Sequence, residues 1–312
     1  MSLRTFQPGD EAAKVSIYNE AAADLPKFKP ATLDEVRRRC LAKEFDKSSI
    51  LLAFEGNQAV GYASFSANGR VSYPWCRKGH ESMAEPLLQA VFDAMKERGL
   101  ATAFAAYRSD WPAVKDFFLA HGFSQAREMV NYILDLAEMP TPAAMPGSAM
   151  SSLSPDDLSD VMALAPLAIR VESRDALEKH LLQNVYFKAS DVFVLRDRTT
   201  KKALGVGLLI ENAAYGDPRA VDSNMPCFRL GAFGTEGMAV KRINGMFSFL
   251  VKPDRDANRL GLELMGHAAR RLDASDVATF AAQVPTDVPH LARFYHQYFR
   301  RQGSFPVFER RL

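Results

Sequence analysis

Along the first 136 residues, apolar side chains recur either at every second position, as in a strand, or every three to four positions, as in a helix. Each change from one period to the other predicts a new element. Residues 3–6 alternate like a short strand, and Asp10 is placed to begin a helix that continues to Asp24. Thr32 and Glu35 have the spacing of a capping box at the start of a second helix. The remaining pattern predicts, in chain order, strands at 49–54, 59–65 and 71–75, a helix at 86–98, a strand at 100–107, a helix at 111–121 and a strand at 129–136.

The same order of elements starts again in the second half of the chain. Pro155 lies 147 positions after Pro8 at the start of a helix, and Gly205 lies 144 positions after Gly61 in a strand. A nearly constant offset is typical of a duplicated unit. The sequence therefore predicts two copies of one domain with a mixed sheet, an α+β fold, at residues 1–138 and 151–312, joined by a proline-rich linker at 139–150.

Later landmarks indicate that the second copy is the longer one. Pro253 lies 179 positions after Pro74, and Pro289 lies 177 positions after Pro112. Roughly thirty residues have therefore been added between the third and fourth strands. We assign them to residues 213–245, a stretch rich in glycine and polar residues, and expect this insertion to shape an acceptor pocket.

Composition places the chain among ordinary globular proteins, with 47% apolar and 24% charged residues. A net charge of +2 lacks the positive excess of nucleic-acid-binding proteins, so we expect no nucleic-acid partner. No run approaches the ~18 apolar residues that span a bilayer, and the first residues lack the apolar segment of a signal peptide. We expect a cytoplasmic protein without membrane contact.

The three cysteines, Cys40, Cys76 and Cys227, lie far apart and lack the spacing of metal ligands or of a disulfide scaffold. We therefore expect a reducing compartment and no metal site. The sequence also contains no Walker loop and no pattern typical of a nucleophile–histidine–acid triad.

Each copy has one candidate anion-binding site, where a strand leads into a helix. The first amides of a helix have no intrahelical acceptor and carry the positive end of the helix dipole, so they bind phosphate oxygens well. In the second copy the strand at 247–251 is followed by PDRDANRLGLELM at 253–265. In the first copy the strand at 71–75 is followed by CRKGHESMAEPLL at 76–88.

These segments and the order of elements resemble the GNAT superfamily of N-acetyltransferases over nearly the whole chain. LRTFQPGDEAAKVSIYN resembles the family's first strand and helix, and LLQAVFDAMKERG with the later WPAVKDFFLAHGF resembles its third helix and its motif B. The resemblance implies two tandem acyl-CoA N-acyltransferase domains, each with a sheet splayed between its fourth and fifth strands. Acetyl-CoA would lie in the splay, with its pyrophosphate on the amides that start the third helix.

The family's phosphate motif is Q/R-x-x-G-x-G/A, and both copies depart from it. In the second copy the slots hold Asp256, Arg259 and Gly261, and in the first copy they hold either Gly79, Ser82 and Ala84 or, in another register, Arg77, His80 and Ser82. A purely structural loop is the alternative for each copy. The resemblance implies coenzyme contacts at Leu250, Val251, Arg255, Asn258, Arg259, Leu260 and Gly261 in the second copy and at Arg77, Gly79 and Ser82 in the first.

The family's reaction is the direct attack of an amine on the thioester, and a tyrosine of the fourth helix protonates the leaving thiolate. The matching residue is Phe118 in the first copy, which has no proton to donate, and Tyr295 in the second. Tyr298 is the alternative acid. For the general base we name Glu211, with Glu236 in the insertion as the alternative and a surface carboxylate as the other interpretation of both.

Two hypotheses follow from these residues. In the first, the chain is an acetyl-CoA-dependent N-acetyltransferase whose second copy is catalytic, acting on a small-molecule or peptide amine, with a homodimer as one possible assembly. In the second, it is a non-catalytic acyl-CoA-binding or protein-interaction module whose motifs have decayed. Coenzyme bound only in the first copy is a third possibility.

Overall fold

The computed structural model describes residues 2–26, 28–41, 45–141, 145–164, 173–183, 187–211, 245–272 and 279–312. It divides into two compact units. The N-terminal unit is Met1–Arg127 with Phe305–Leu312, and the C-terminal unit is Glu128–Ser304. The insertion predicted at 213–245 lies outside the described residues except for Gly245, and Glu236 and Cys227 lie outside them with it.

The N-terminal unit contains β1 (Ser2–Thr5), α1 (Glu11–Ala21), α2 (Leu33–Cys40), β2 (Ile50–Glu55), β3 (Gln58–Ser64), β4 (Trp75–Cys76), α3 (Ala84–Glu97), β5 (Thr102–Ala106) and α4 (Pro112–Ala120). Strands β1 to β4 form an antiparallel sheet in chain order. The capping box of Thr32 and Glu35 is confirmed at the start of α2. The strand predicted at 71–75 is reduced to β4, since Pro74 has no N–H for a strand ladder.

The C-terminal unit contains β7 (Ser148–Ser152), α5 (Leu158–Leu164), α6 (Arg174–Leu181), β8 (Val192–Asp197), β9 (Ala203–Ile210), β10 (Gly245–Val251), α7 (Ala257–Leu272), β11 (Thr279–Pro285) and α8 (Pro289–Tyr298). Its sheet also includes part of β6 (Ser124–Asp135), and the strand order is β6-β11-β10-β9-β8-β7. The pair β10–β11 is parallel, and the other described pairs are antiparallel. β7 begins within the predicted linker, whose last three residues pair with β8.

The last strand of each sequence copy contributes to the unit built mainly from the other copy. Residues 129–135 of β6 pair with β11 in the C-terminal unit. The final strand, β12 (Arg300–Arg311), pairs through residues 307–311 with β5 in the N-terminal unit. The compact units are therefore not identical with residues 1–138 and 151–312, and those boundaries stay a prediction about the copies along the sequence.

The C-terminal sheet has an apolar core on each of its faces. On one face Phe247, Phe249 and Phe280 pack with α7 and α8. On the other face Met246 and Ala281 pack with α5 and α6. Successive residues of β10 therefore point alternately to two different cores, as the two-residue period of a strand requires.

The contacts of two glycines, one in the third strand of each copy, show which residues of the two copies correspond. A Cβ atom on Gly61 would lie 2.9 Å from Cys76 Sγ and 3.1 Å from Leu87 Cδ1, and one on Gly205 would lie 2.9 Å from Val251 Cγ1 and 3.0 Å from Leu264 Cδ1. Cys76 thus corresponds to Val251 and Leu87 to Leu264, which confirms the repeat.

The same alignment corrects one sequence landmark. Pro74 precedes Cys76 by two residues, whereas Pro253 follows Val251 by two, so these prolines are not equivalent. The residue that corresponds to Pro74 is Phe249. By contrast, Pro112 and Pro289 both stand in the first turn of their helices, α4 and α8, as predicted.

Candidate active site

A gap opens between the two parallel strands of the C-terminal sheet. β10 and β11 pair at Gly245 with Phe280 and at Met246 with Ala281. Beyond that point β10 continues along β9, while β11 continues along β6. The later residues of β10 therefore present an open strand edge to the gap, with backbone groups available for hydrogen bonds.

Tyr295 reaches this open edge from α8. Its hydroxyl donates a hydrogen bond to the carbonyl of Phe247 at 3.4 Å, and its side chain is buried, with 1% of the residue exposed. Burial raises the pKa of the phenol far above its usual value, although hydrogen bonds from the Ser248 side chain and the Phe249 N–H act in the opposite direction. Tyr295 therefore holds its proton at neutral pH, at the point where the gap opens.

His290 binds the same strand edge further along. Its Nε2 lies 3.1 Å from the carbonyl oxygen of Val251, and because a carbonyl only accepts, Nε2 carries the hydrogen. Burial lowers the pKa of this imidazole, against the opposing effect of the Val251 hydrogen bond. The imidazole and the phenol, which α8 carries five residues apart, together cover the open edge of β10.

The turn that leads from β10 into α7 combines unpaired amides with cations. Asp254 Oδ1 accepts from the Asp256 N–H at 2.9 Å, and the carbonyl of Asp256 accepts from Leu260. The N–H groups of Asn258 and Arg259 have no acceptor within the described part of the chain. The exposed side chains of Arg255 and Arg259 lie on the same turn, so it has the donors and the charge to bind an anion.

The remaining predicted coenzyme residues are placed around this turn with differing exposure. Leu250 is half-buried on β10, while Val251 and Leu260 are buried. Asn258 donates from Nδ2 to the Tyr298 hydroxyl at 2.8 Å, which ties the start of α7 to the end of α8. A Cβ atom on Gly261 would lie 2.7 Å from Phe294 and 2.9 Å from Phe249. A glycine at 261 therefore lets α7 approach β10 and α8 closely.

The structure does not bring the predicted base to the phenol. Glu211 is exposed directly after β9, and its carboxylate lies 3.7 Å from Arg271 near the end of α7. The same guanidinium also contacts Asp191 at 3.3 Å. Glu211 as the base stays a prediction, and its only charged contact among the described residues is this arginine.

Sequence models of known protein families do not match this chain, and no curated protein matches it. Solved structures do match over 99% of its length. One is a GCN5-related N-acetyltransferase from Sphaerobacter thermophilus, 16% identical, with a TM-score of 0.63 and 95% of that chain covered. Another is a GCN5-related glucosamine N-acetyltransferase region of a fungal multi-domain β-N-acetylglucosaminidase, 13% identical, with a TM-score of 0.64 and 38% of that chain covered. A third is a tandem GNAT protein from the clavulanic acid biosynthesis pathway, 12% identical, with a TM-score of 0.56 and 98% of that chain covered.

This chain has the tandem GNAT fold. The splay between β10 and β11 is the one that the sequence resemblance implied between the fourth and fifth strands. Within the described residues there is no group of three or more potential metal-ligating side chains, and no helix that is both long and apolar enough to span a membrane.

In the N-terminal unit, the cations of the loop between β4 and α3 are already paired. Arg77 forms an ion pair with Glu20 at 2.5 Å and donates to Ser16 and to the Ala59 carbonyl, each at 3.0 Å. Lys78 lies 2.9 Å from Asp24. Both cations therefore hold the loop against neighbouring elements of the N-terminal unit.

A carboxylate of the N-terminal unit also accepts hydrogen bonds from the amides of the loop between β4 and α3. Gly79, whose φ of 85° suits a glycine, donates from its N–H to Glu81 Oε1 at 3.0 Å. Hydrogen bonds from the Glu81 and Gly79 amides lower the pKa of the Glu81 carboxyl. Ser82 is exposed one residue further on. An anion is thus present where a pyrophosphate would have to bind, a feature that the sequence analysis missed.

The N-terminal unit also lacks the strand-edge chemistry. The residue corresponding to Phe249 is Pro74, which has no N–H. Phe118 corresponds to Tyr295, is fully buried and has no hydroxyl. In this region the Tyr107 hydroxyl accepts from the Tyr73 N–H, and the Tyr107 ring stacks on Phe118 at a centroid distance of 5.8 Å. Phe118 therefore packs in an aromatic cluster, and the phenol that contacts the backbone here comes from Tyr107 and not from α4.

Proposed function

We propose that this protein is an acetyl-CoA-dependent N-acetyltransferase and that its C-terminal unit is catalytic. The observation that carries the proposal is the hydrogen bond that the Tyr295 hydroxyl donates to the Phe247 carbonyl at the open edge of β10. Because backbone groups two residues apart on a strand point to the same edge, the Phe249 N–H lies on the same edge of β10 as the Phe247 carbonyl that this proton donor contacts. The GNAT fold supports the same reaction class.

The turn before α7 fits the diphosphate of the coenzyme. The free N–H groups of Asn258 and Arg259 would bind its oxygens, and the exposed Arg255 and Arg259 side chains would balance its charge. The acyl-bearing arm would extend from there into the gap along β10. Its amide groups would replace the hydrogen bond that His290 now makes to Val251.

In the proposed reaction the acceptor nitrogen attacks the thioester carbon, a nitrogen–carbon bond forms and the carbon–sulfur bond breaks. The Phe249 N–H donates to the thioester oxygen, which becomes more negative in the transition state. The departing thiolate takes the proton of Tyr295, and the amine's surplus proton passes to solvent. The phenolate left on Tyr295 then recovers a proton from solvent before the next turnover.

The test is titration calorimetry with acetyl-CoA, followed by measurement of free coenzyme A thiol in the presence of a panel of primary amines. We expect binding of acetyl-CoA and amine-dependent thiol release. We also expect Tyr295→Phe to slow release strongly while it leaves the Kd for acetyl-CoA nearly unchanged. Absence of binding, or an unchanged rate in Tyr295→Phe, would contradict the proposal.

For the N-terminal unit we propose a structural role without coenzyme. Pro74, Phe118 and the Glu81 carboxylate together support this assignment, because each removes one element that the C-terminal unit has. Binding without turnover over the whole amine panel would instead support the second hypothesis, a non-catalytic acyl-CoA-binding module.

A further inference from the structure

Three uncharged polar residues lie in a row across the C-terminal sheet, on the face opposite α7 and α8. Gln283 of β11 pairs in register with Asn131 of β6. Ser248 of β10 lies two residues beyond Met246, and Gln283 lies two residues beyond Ala281, which is the in-register partner of Met246. Ser248, Gln283 and Asn131, which we call the polar row, therefore cross the sheet at the level where the gap opens.

The rows on either side of the polar row are apolar. Met246, Ala281 and Ile133 precede it, and Leu250, Pro285 and Met129 follow it. Asn131 is only 5% exposed. Burial of an amide in such surroundings is unfavourable unless its hydrogen bonds are made, so the polar row is not explained by packing alone.

One hydrogen bond fixes the orientation of the two amides. Gln283 Nε2 donates to Asn131 Oδ1 at 3.1 Å. Gln283 is half-buried, and its Oε1 has no donor among the residues that the structure describes. Asn131 therefore holds Gln283 with an acceptor oxygen left for another group.

Ser248 links the polar row to the phenol. Ser248 directly follows Phe247, whose carbonyl accepts a hydrogen bond from the hydroxyl of Tyr295, and Tyr295 approaches from α8 on the other side of the sheet. The row and the proton donor thus meet at the same level of the gap, from opposite faces.

We infer that the polar row is the acceptor subsite, in which Gln283 Oε1 accepts a hydrogen bond from the attacking amine and Asn131 positions Gln283. Because the row offers hydroxyl and amide groups without charge, it fits an amine whose neighbouring groups are hydroxyls or amides. A carboxylate beside the amine would need a cation, and a second ammonium group would need an anion. This inference rests on the proposed function and adds the class of acceptor.

The experiment measures kcat/KM with acetyl-CoA and four amines: 2-amino-1,3-propanediol, glycinamide, glutamate and spermidine. For the wild type we expect the first two to exceed the last two by about tenfold or more, which corresponds to about 1.4 kcal/mol. Gln283→Glu, nearly identical in shape, should raise the preference for spermidine over 2-amino-1,3-propanediol by about tenfold. Gln283→Met should raise the KM of the neutral amines and leave the Kd for acetyl-CoA unchanged.

A matched control is Gln58→Glu, which makes the same change of charge on an exposed strand position of the N-terminal unit and should leave the preference as in the wild type. Wild-type preference for glutamate or spermidine, or an unchanged preference in Gln283→Glu, would overturn the inference while the proposed function stands. Failure of the wild type to bind acetyl-CoA or to release thiol with any amine would overturn both. If Gln283→Met does not fold, the near-isosteric Gln283→Glu decides the question.

Discussion

Corresponding backbone positions in the two units carry different chemistry. In the C-terminal unit, Phe249 has an N–H and Tyr295 a hydroxyl at the strand gap. In the N-terminal unit, Pro74 and Phe118 hold the same positions without either group. The packing contacts that define the fold are retained in both, as the two matching glycines show. The two copies therefore share the packing of the fold, whereas the groups that we propose for acyl transfer are present in the second at these positions.

The loops that lead into α3 and α7 show the same contrast in their charges. In the first loop, Arg77 and Lys78 are paired with carboxylates of α1 and of the residues that follow it. In the second, Arg255 and Arg259 are exposed, with Asp256 as a distant neighbour of Arg255 at 3.9 Å. The pairing of these cations separates the loops, because a cation already neutralised by a neighbour attracts a ligand less strongly.

The largest effect that we expect is on catalysis. Tyr295→Phe removes the proposed acid and should lower kcat by a factor of about 10²–10⁴, the usual contribution of general acid–base catalysis. Steady-state thiol release with one reactive amine measures it. The matched variant Phe118→Tyr places the same hydroxyl in the N-terminal unit and should leave kcat per folded molecule unchanged, although a hydroxyl at this fully buried position should lower stability. A rate loss in Phe118→Tyr, or none in Tyr295→Phe, would break the comparison.

A second effect concerns stability at acid pH. Asp157 is buried and paired with Arg196. Burial alone would raise its pKa, but hydrogen bonds from Arg196 and Ser154 bring it below the usual value. The stabilisation of the fold by the Asp157 carboxylate is therefore present above the pKa of this group in the unfolded chain, near 3.9. It is lost as the pH falls through the lower pKa that the group has in the folded chain. Asp157→Asn should lower the free energy of unfolding by about 3 kcal/mol at pH 7 and by much less near pH 3, as measured by urea unfolding.

Asp10→Asn is the matched variant in the N-terminal unit. Asp10 accepts from Gln7 as Asp157 does from Ser154, but its partner Arg4 is more exposed than Arg196, with side-chain exposures of 36% and 22%. The loss of unfolding free energy should be smaller in Asp10→Asn than in Asp157→Asn, because a more exposed ion pair contributes less to stability. Equal losses would show that burial does not distinguish the two pairs.

A third effect concerns the packing of α7. Gly261→Ala places a methyl group against Phe294 and Phe249 and should destabilise the C-terminal unit by about 1–3 kcal/mol. The corresponding residue of the N-terminal unit is already an alanine, Ala84. Thermal unfolding measures the loss, and an unchanged melting temperature would mean that the close approach of α7 is not needed.

The smallest effect is on coenzyme affinity. Arg259→Ala removes one exposed cation from the proposed diphosphate site and should raise the Kd for acetyl-CoA by about tenfold, as measured by calorimetry. Lys78→Ala is the control, since its charge is paired with Asp24 in the other unit, and its Kd should equal that of the wild type. A larger effect for Lys78→Ala would place the coenzyme in the N-terminal unit.

The pattern of apolar and polar residues within each segment predicted most elements, because the period that distinguishes a strand from a helix is contained in the element's own residues. The capping box at Thr32 and the helices that begin at Pro112 and Pro289 were predictable in this way. The partners of β6 and β12 were not, since an alternating pattern shows which face of a strand is buried but not which strand edge it joins.

The candidate site was predictable only in part, for a related reason. Tyr295 could be found from its place on a helix after a proline. Its hydrogen bond to the Phe247 carbonyl depends on a residue 48 positions away. Glu81 was missed because its role depends on the conformation of the loop that brings its carboxylate back to Gly79. The sequence offset pairs Pro74 with Pro253, and the glycine contacts show that this pairing is wrong.

The most direct test of the central claim, that the C-terminal unit is the one equipped for acyl transfer, is a crystal structure of the protein with acetyl-CoA. We expect one coenzyme per chain, with its diphosphate on the amides of Asn258 and Arg259 and its thioester in the gap beside Tyr295. Coenzyme on the loop from Gly79 to Ser82, with the gap between β10 and β11 left without it, would contradict the claim.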